Sequence, residues 1–261
     1  MATVSGAARS ASRNITWFRQ AWKLNVLSSF AQPLLYLLGL GVGVGALVDA
    51  NAGSTDLLGG VSYVAFVVPG LLVTAAMSVS AAESMWPVMG GMKWDRSYHA
   101  MAASPLTAGD IVGGHAVWLT ARSLISGGAV ALALALFPDT RSWGLIPAVL
   151  VAALVGLSFA MPLMAYSVSG TNDGRFAAIQ RFVIIPLFLF GGAFYPITQL
   201  PQVVQWLVQA FPLWHGIEVA RMFTTGDVRW AAGGWHLAYV LVWIVVGAVV
   251  AERRLSQELY P

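Results

Sequence analysis

The stretch FLFGGAFYPITQLPQVVQWLVQAFPLWHGIEVAR, Phe188 to Arg221, decides how this chain folds. An apolar run stops at Tyr195-Pro196, and two short amphipathic segments follow, separated by Pro201 and Pro212. A cluster of Trp214, His215, Glu218 and Arg221 comes next, before a last apolar run opens near Trp235. A plain hairpin between membrane helices needs only about two to eight residues. So long and ordered an insert predicts short helices dipping into or lying on one membrane face. That suits a device that handles a membrane-borne substrate.

Outside this insert the chain is strongly apolar. Of its 261 residues, 58% are hydrophobic and 10% are charged. A soluble domain carries about 25% charged residues, so there are too few charges here to cover a water-facing surface. A helical span needs about 20 apolar residues, and no run of alternating ten-residue segments suggests a β-barrel. The expected fold is therefore an all-α integral membrane protein. With no cysteine, disulfides and Cys-ligated metals are excluded. The first residues, Met1–Asn14, are small, polar and Arg-bearing and do not read as a signal peptide.

Six spans are expected, near Val26–Val48, Val61–Ala82, Ile111–Phe137, Trp143–Val168, Phe182–Phe194 and Trp235–Ala251. The fifth is short and is expected to continue into the outer segment 195–230 as a re-entrant element, which is tolerated where its backbone is buried in protein. With both termini inside, ten of the 14 basic residues are cytoplasmic: Arg9, Arg13, Arg19, Lys23, Lys93, Arg96, Arg175, Arg181, Arg253 and Arg254. Arg141, Arg221 and Arg229 are then outside. The positive-inside rule selects this orientation, so the net charge of +3 marks topology and not nucleic-acid binding.

Two cytoplasmic elements are expected. Ile15, Phe18 and Trp22 recur at i, i+3 and i+7, with basic residues elsewhere on the wheel, which predicts an amphipathic interfacial helix within residues 1–25. Between the second and third spans lies 83–110, ESMWPVMGGMKWDRSYHAMAASPLTAGD. Pro87, Gly90-Gly91 and Ser104-Pro105 are helix breakers. A short helix over Met92–Ala103 is expected between them, with Met92, Asp95, Arg96 and His99 on one face as a docking point for a soluble partner. The alternative is a solvated loop.

Several chemistries are missing. A phosphate-binding loop needs G-x-x-x-x-G-K-[ST], but the two lysines, Lys23 and Lys93, precede Leu24 and Trp94. Any ATP hydrolysis must come from another chain, and this chain is expected to bind no cofactor itself. Gly39, Gly41, Gly43 and Gly45 give G-x-x-x-G twice inside an apolar span, which reads as close helix packing and not as a dinucleotide site. His99, His115, His215 and His236 have no metal-ligand spacing. No catalytic constellation is visible.

Charges within the spans are sparse. Arg122 is the main one, on a helical stripe with His115, Trp118 and Ser126. Two placements compete: Arg122 snorkels to the inner surface, or it is buried and paired. Neither it nor His115 has an obvious mate in this chain at the same depth, which points to one supplied by another subunit. An ion-coupled transporter would show several buried ionisable groups, and a membrane-embedded enzyme would show convergent catalytic groups.

Taken in order, these pieces resemble the permease subunit of ABC-2-type exporters. The resemblance covers nearly the whole chain. Its most specific motif is GGAFYPITQLPQVVQWLVQAFPLWHGIEVAR, which looks most like the nodulation protein J branch, a branch that includes lipo-oligosaccharide exporters; daunorubicin-resistance permeases have a similar Phe-Pro-Leu segment. The second match is Glu83 followed by Ser104-Pro105-Leu106 and Gly113-Gly114. The resemblance implies a bacterial inner-membrane permease, alike or unlike a second permease copy, working with two cytoplasmic ABC ATPase subunits that hold ATP and Mg. It implies that Glu83, Met92, Asp95, Arg96 and His99 belong to the ATPase-coupling region. It also implies that Tyr195, Pro196, Trp214, His215, Glu218 and Arg221 form an outer gate. The expected cargo is an amphiphile, such as a drug, lipid or glycolipid; a polysaccharide or lipo-oligosaccharide is the alternative. At Trp86-Pro87 and Gly90-Gly91 the chain departs from the charged pattern of many members, which leaves the individual coupling contacts open.

Overall fold

Leu145–Val168 is the helix around which the others pack. The computed structural model describes residues 6–11, 14–15, 35–50, 58–134, 141–170 and 173–260. Among these, every regular element is helical. A π-helix, Leu37–Val44, runs into α1, Gly45–Asp49. Then come α2, Tyr63–Lys93; α3, Ser97–Ala102; α4, Ala108–Leu134; and the central α5, Leu145–Val168. Helix α6, Asp173–Ile179, passes through a π-turn, Gln180–Ile184, into α7, Ile185–Phe190. A 3-10 turn, Ile197–Gln199, precedes α8, Gln202–Gln209; α9, Pro212–Thr225; and α10, Trp230–Leu259.

Three of these helices are long and apolar enough to cross a membrane: α2, α5 and α10. At about 1.5 Å per residue, each exceeds the ~30 Å hydrocarbon core. With its three long apolar helices the chain is a multi-pass integral membrane protein. The third expected span, Ile111–Phe137, is largely realised as α4. The fifth, expected to run to Tyr195-Pro196, is interrupted earlier, by the π-turn Gln180–Ile184 and by the end of α7 at Phe190 before Gly191-Gly192. Residues 26–34 of the first expected span lie outside the described residues and 35–48 are helical; Phe18 and Trp22 of the expected interfacial helix also lie outside them, and Ile15 is exposed. The G-x-x-x-G pair Gly39/Gly43 mediates no close approach among the described residues, since a Cβ at either would meet nothing within 4 Å.

Two buried clusters fill the bundle. At one end, Leu72, Met77, Val155, Leu213 and Ile217 join α2, α5 and α9. At the other, Met92, Ile111, Leu119, Met164 and Leu255 join α2, α4, α5 and α10. These are called the Trp214 end and the Lys93 end. Small residues set the spacing between helices: a Cβ on Gly156 would come within 2.5 Å of Ser80 Oγ, and one on Gly247 within 2.6 Å of Pro162 Cδ. Without a hydrophobic drive between helices in lipid, such backbone-close contacts are where dispersion is gained.

The helix break expected after Ala82 is absent. α2 carries both Pro69 and Pro87 and continues through Gly90-Gly91 to Lys93. An interior proline costs a helix about 3 kcal/mol, but Met85, Val88, Met89 and Met92 are all buried on this stretch, and burying each such side chain is worth about 1.5–3 kcal/mol. Gly91 is needed for another reason: a Cβ there would lie 2.5 Å from the Tyr98 ring. The excursion between α2 and α4 is therefore only Trp94–Thr107.

Candidate functional site

At the Lys93 end, the chain turns at Trp94–Arg96. Arg96 takes a left-handed backbone, φ 51°, and Asp95 Oδ1 accepts the Ser97 N–H at 2.9 Å, starting α3. The short expected helix thus exists, but it is Ser97–Ala102 and not Met92–Ala103. Met92 is buried in α2, so Met92, Asp95, Arg96 and His99 do not share one helical face. The physical reason is the left-handed residue, which reverses the chain between the two helices. Asp95, Arg96 and His99 remain together on the turn and on α3, beside an exposed Trp94.

Three further segments brace this turn. Helical residues 6–11 lie on the start of α4, with Ala7 and Ser10 against Gly113 and Gly114, and Ser10 Oγ donates to Met101 Sδ of α3 at 3.8 Å. Thr107 and Asp110 form a reciprocal cap: the Thr107 N–H and hydroxyl donate to Asp110 Oδ2 at 2.9 and 2.8 Å, and the Asp110 N–H donates to Thr107 Oγ1 at 3.1 Å. Those two hydrogen bonds, backbone first, hold the Asp110 carboxyl below its ordinary range. At the far end of α10, the Tyr260 hydroxyl donates to the Leu106 carbonyl at 2.6 Å.

Inside the bundle, Glu83 does not face the turn. Its Oε1 pairs with Arg122 at 3.0 Å, and its Oε2 accepts the Trp118 indole N–H at 3.4 Å. Next along α2, Ser84 Oγ lies 3.0 Å from His115 Nε2. The stripe expected on α4 is real, and its mate is the Glu83-Ser84 pair of the same chain. This corrects the expectation of a partner from another subunit. It also decides between the two placements of Arg122, which is buried and paired. A shallow groove lies beside Arg122 between α2 and α4, lined by Leu72, Ala76, Val79, Ser126 and Val130.

At the Trp214 end, proline and glycine signals place the remaining residues. Pro196 precedes the 3-10 turn, Pro201 precedes α8, Pro212 opens α9, and Gly226 closes α9 at φ 80°, following the Pro-first, Gly-last asymmetry of helices. Arg221 gathers three elements: NH1 donates to Glu218 Oε1 at 2.7 Å, NH2 donates to the Gly192 carbonyl at 2.8 Å, and the guanidinium lies 3.8 Å from the centre of the Phe66 ring. Tyr195 is half-buried beside this loop, and burial pushes its phenol up.

His215 sits on the other side of α9. Its Nε2 lies 3.0 Å from the Gln209 carbonyl and its Nδ1 lies 2.7 Å from Nδ1 of His236 on α10. Tyr239 stacks on it at 4.1 Å, and Trp214 meets both imidazoles edge-on. Trp214, His215, Glu218 and Arg221 therefore lie on one helix, but in two groups: Glu218 and Arg221 tie α9 to α2, while His215 ties it to α10. Sequence reasoning set His236 aside; the two histidines are 21 residues apart, and no local spacing pairs them. Among the described residues, no group of three or more metal-ligating side chains converges.

The arrangement can hold helices against one another and transmit displacement. The profile of one family, ABC-2 type transporter, matches residues 9–223. Nodulation protein J of Rhizobium leguminosarum bv. viciae is 32% identical over 247 residues, covering 95% of this chain and 92% of that one. Nodulation protein J of Rhizobium meliloti (strain 1021) is 32% identical, over 92% and 90% of the two chains. The inner membrane transport permease YadH of Escherichia coli (strain K12) is 25% identical, over 78% and 73%. No solved structure matches. The chain belongs to the ABC-2 type transporter family, as a membrane permease, a transport subunit that carries no ATPase domain.

Proposed function

We propose that this chain is the permease of an ATP-driven exporter that moves an amphiphilic substrate, a drug, lipid or glycolipid, out of the cytoplasm or inner leaflet. The positive-inside distribution puts the Lys93 end and both termini in the cytoplasm, in the inner membrane that YadH's name records for that relative. Two copies of a separate cytoplasmic ABC ATPase dock on the α3 turn, and a second permease, alike or different, completes the route. Tyr195, Pro196, Trp214, His215, Glu218 and Arg221 gate its outer end.

The observation that carries this reading is the build of the α3 turn. It is a short helix projecting between two long helices, braced by residues 6–11 and by Tyr260, and α2 and α4 are joined behind it by Glu83 and Arg122. A push on α3 is therefore delivered to a two-helix arm and not absorbed by a loop. A partner's nucleotide state can shift the permease only through contacts that differ between its two conformations, and this turn is where such contacts would be made. A gentle detergent pull-down from native membranes, with mass spectrometry and an ATPase assay, tests it. Co-purification of a P-loop ATPase supports the reading and reveals any second permease. A chain that purifies alone, under conditions that preserve other membrane complexes, overturns it.

A further inference from the structure

We infer that His215 and His236 form a one-proton latch, which fastens the α8–α9 corner to α10 while the pair holds no more than one extra proton and releases it when both rings are charged. The geometry assigns the protons. His215 Nε2 faces the Gln209 carbonyl at 3.0 Å. A carbonyl only accepts, so that nitrogen carries hydrogen. In the neutral ring Nδ1 is then bare, and it accepts a hydrogen bond from Nδ1–H of His236 at 2.7 Å. A first added proton goes to His236 Nε2. It leaves both hydrogen bonds intact and makes the inter-ring bond charge-assisted, hence stronger. A second proton has only His215 Nδ1 left to occupy. That places two N–H groups and two positive rings face to face where one hydrogen bond stood.

The latch is the centre of the contact it controls. The Tyr239 hydroxyl donates to the Ala210 carbonyl at 2.9 Å and its ring stacks on His215. Phe211 stacks on Trp243 at 6.1 Å. All of these join residues 209–215 to residues 236–243, so losing the central bond and adding repulsion frees the whole corner. The ionisable groups around the pair are few. Glu218 and Arg221 lie on α9 itself and are paired with each other at 2.7 Å. Arg229 and Asp227 lie before α10, 3.6 Å apart. α8 and α7 carry no ionisable side chain; on α5 the only one is Tyr166, near the Lys93 end; on α2 Tyr63 is the only one near the Trp214 end. Among the described residues, no carboxylate other than Glu218 stands ready to neutralise a second charge. The side whose acidity the latch reads follows from the orientation proposed above; the latch itself does not depend on it.

The test uses the full chain, purified in detergent, without ATPase or substrate, so its outcome is independent of the export reading. The sequence has 4 His and no Cys, which gives a small histidine spectrum and a clean background for spin labels. Nitrogen-15 histidine spectra, assigned with His215→Gln and His236→Gln, are recorded from about pH 8 to about pH 5. Labels on Val203→Cys of α8 and Val242→Cys of α10 report the distance across the corner. We expect Nε2–H on His215 and Nδ1–H on His236 at the alkaline end. The two protonations should be separated by more than about one pH unit, with the label distance lengthening only at the second. His236→Gln, which removes one of the two opposed charges, should show no lengthening. Rings that titrate together as independent histidines, or a distance unchanged across the second step, overturn the latch. So does a lengthening that persists in His236→Gln. Should that variant fail to fold, the spectra of the unaltered chain still decide.

Discussion

Glu83 on α2 and Arg122 on α4 pair at 3.0 Å within the helix bundle, 39 positions apart in the chain. The guanidinium side is nearly covered, and the carboxylate is shared with the Trp118 indole. Removing one partner of a buried pair strands the other, at about 3–5 kcal/mol. Arg122→Gln and Glu83→Gln should each lower thermal stability in detergent by that order, and the double variant should lose less than the sum. Strictly additive losses would show that the two side chains are not coupled.

The Asp95 carboxylate starts α3 by accepting the Ser97 N–H at 2.9 Å. Asp95→Ala should cost about 0.5–2 kcal/mol of local stability and loosen the turn without unfolding the long helices. Combined with Arg96→Ala, it should weaken ATPase association or uncouple hydrolysis from transport. Pull-down yield and transport-coupled ATPase rate check this; assembly and transport at unaltered levels would remove α3 as the docking point.

Gly247 touches Pro162 at the middle of α10, and an added Cβ would stand 2.6 Å from Pro162 Cδ and 2.8 Å from Met161 Cβ. Gly247→Ala should therefore be destabilising by about 1–3 kcal/mol, the usual cost of overpacking. Gly234 on the same helix has nothing within 4 Å of that position. Gly234→Ala should instead be neutral, or stabilising by up to about 1 kcal/mol. Thermal melts of the two variants, compared directly, test the close approach of α5 and α10.

Arg221 forms a fork between Glu218 and the Gly192 carbonyl while its face covers Phe66. Lysine cannot reproduce that geometry. Arg221→Lys should lose about 1.5–3 kcal/mol, the worth of a charged hydrogen bond, and should impair export while ATPase binding is retained. His215→Ala with Glu218→Ala should do the same. Loss of ATPase binding in either variant would show that α9 is not an outer gate.

Periodicity and breakers carried much of the reading. The i, i+3 and i+7 spacing of His115, Trp118 and Arg122 predicts the stripe that α4 presents to Glu83. Pro201 and Pro212 predict the two short segments of the insert, α8 and α9, because a missing N–H and a fixed φ act locally and need no neighbours; the 3-10 turn at Ile197–Gln199 is an addition. The same local rule misplaced the end of α2. There Pro87 and Gly90-Gly91 are outweighed by the burial of Met85, Val88, Met89 and Met92, a sum over residues from other helices that no window of sequence contains.

What the sequence by itself determined is the class of molecule: an apolar all-helical membrane permease with a broken fifth span and a short helix between α2 and α4. Those helical features follow from composition, period and backbone chemistry within a few residues. Only the tertiary structure decided the pairings, Glu83 with Arg122, Ser84 with His115, His215 with His236, and Tyr260 with Leu106. Each joins residues 21 to 154 positions apart. Their meeting depends on the register at which packed helices stop sliding, and that register is set by volumes such as the missing Cβ of Gly156 and Gly247.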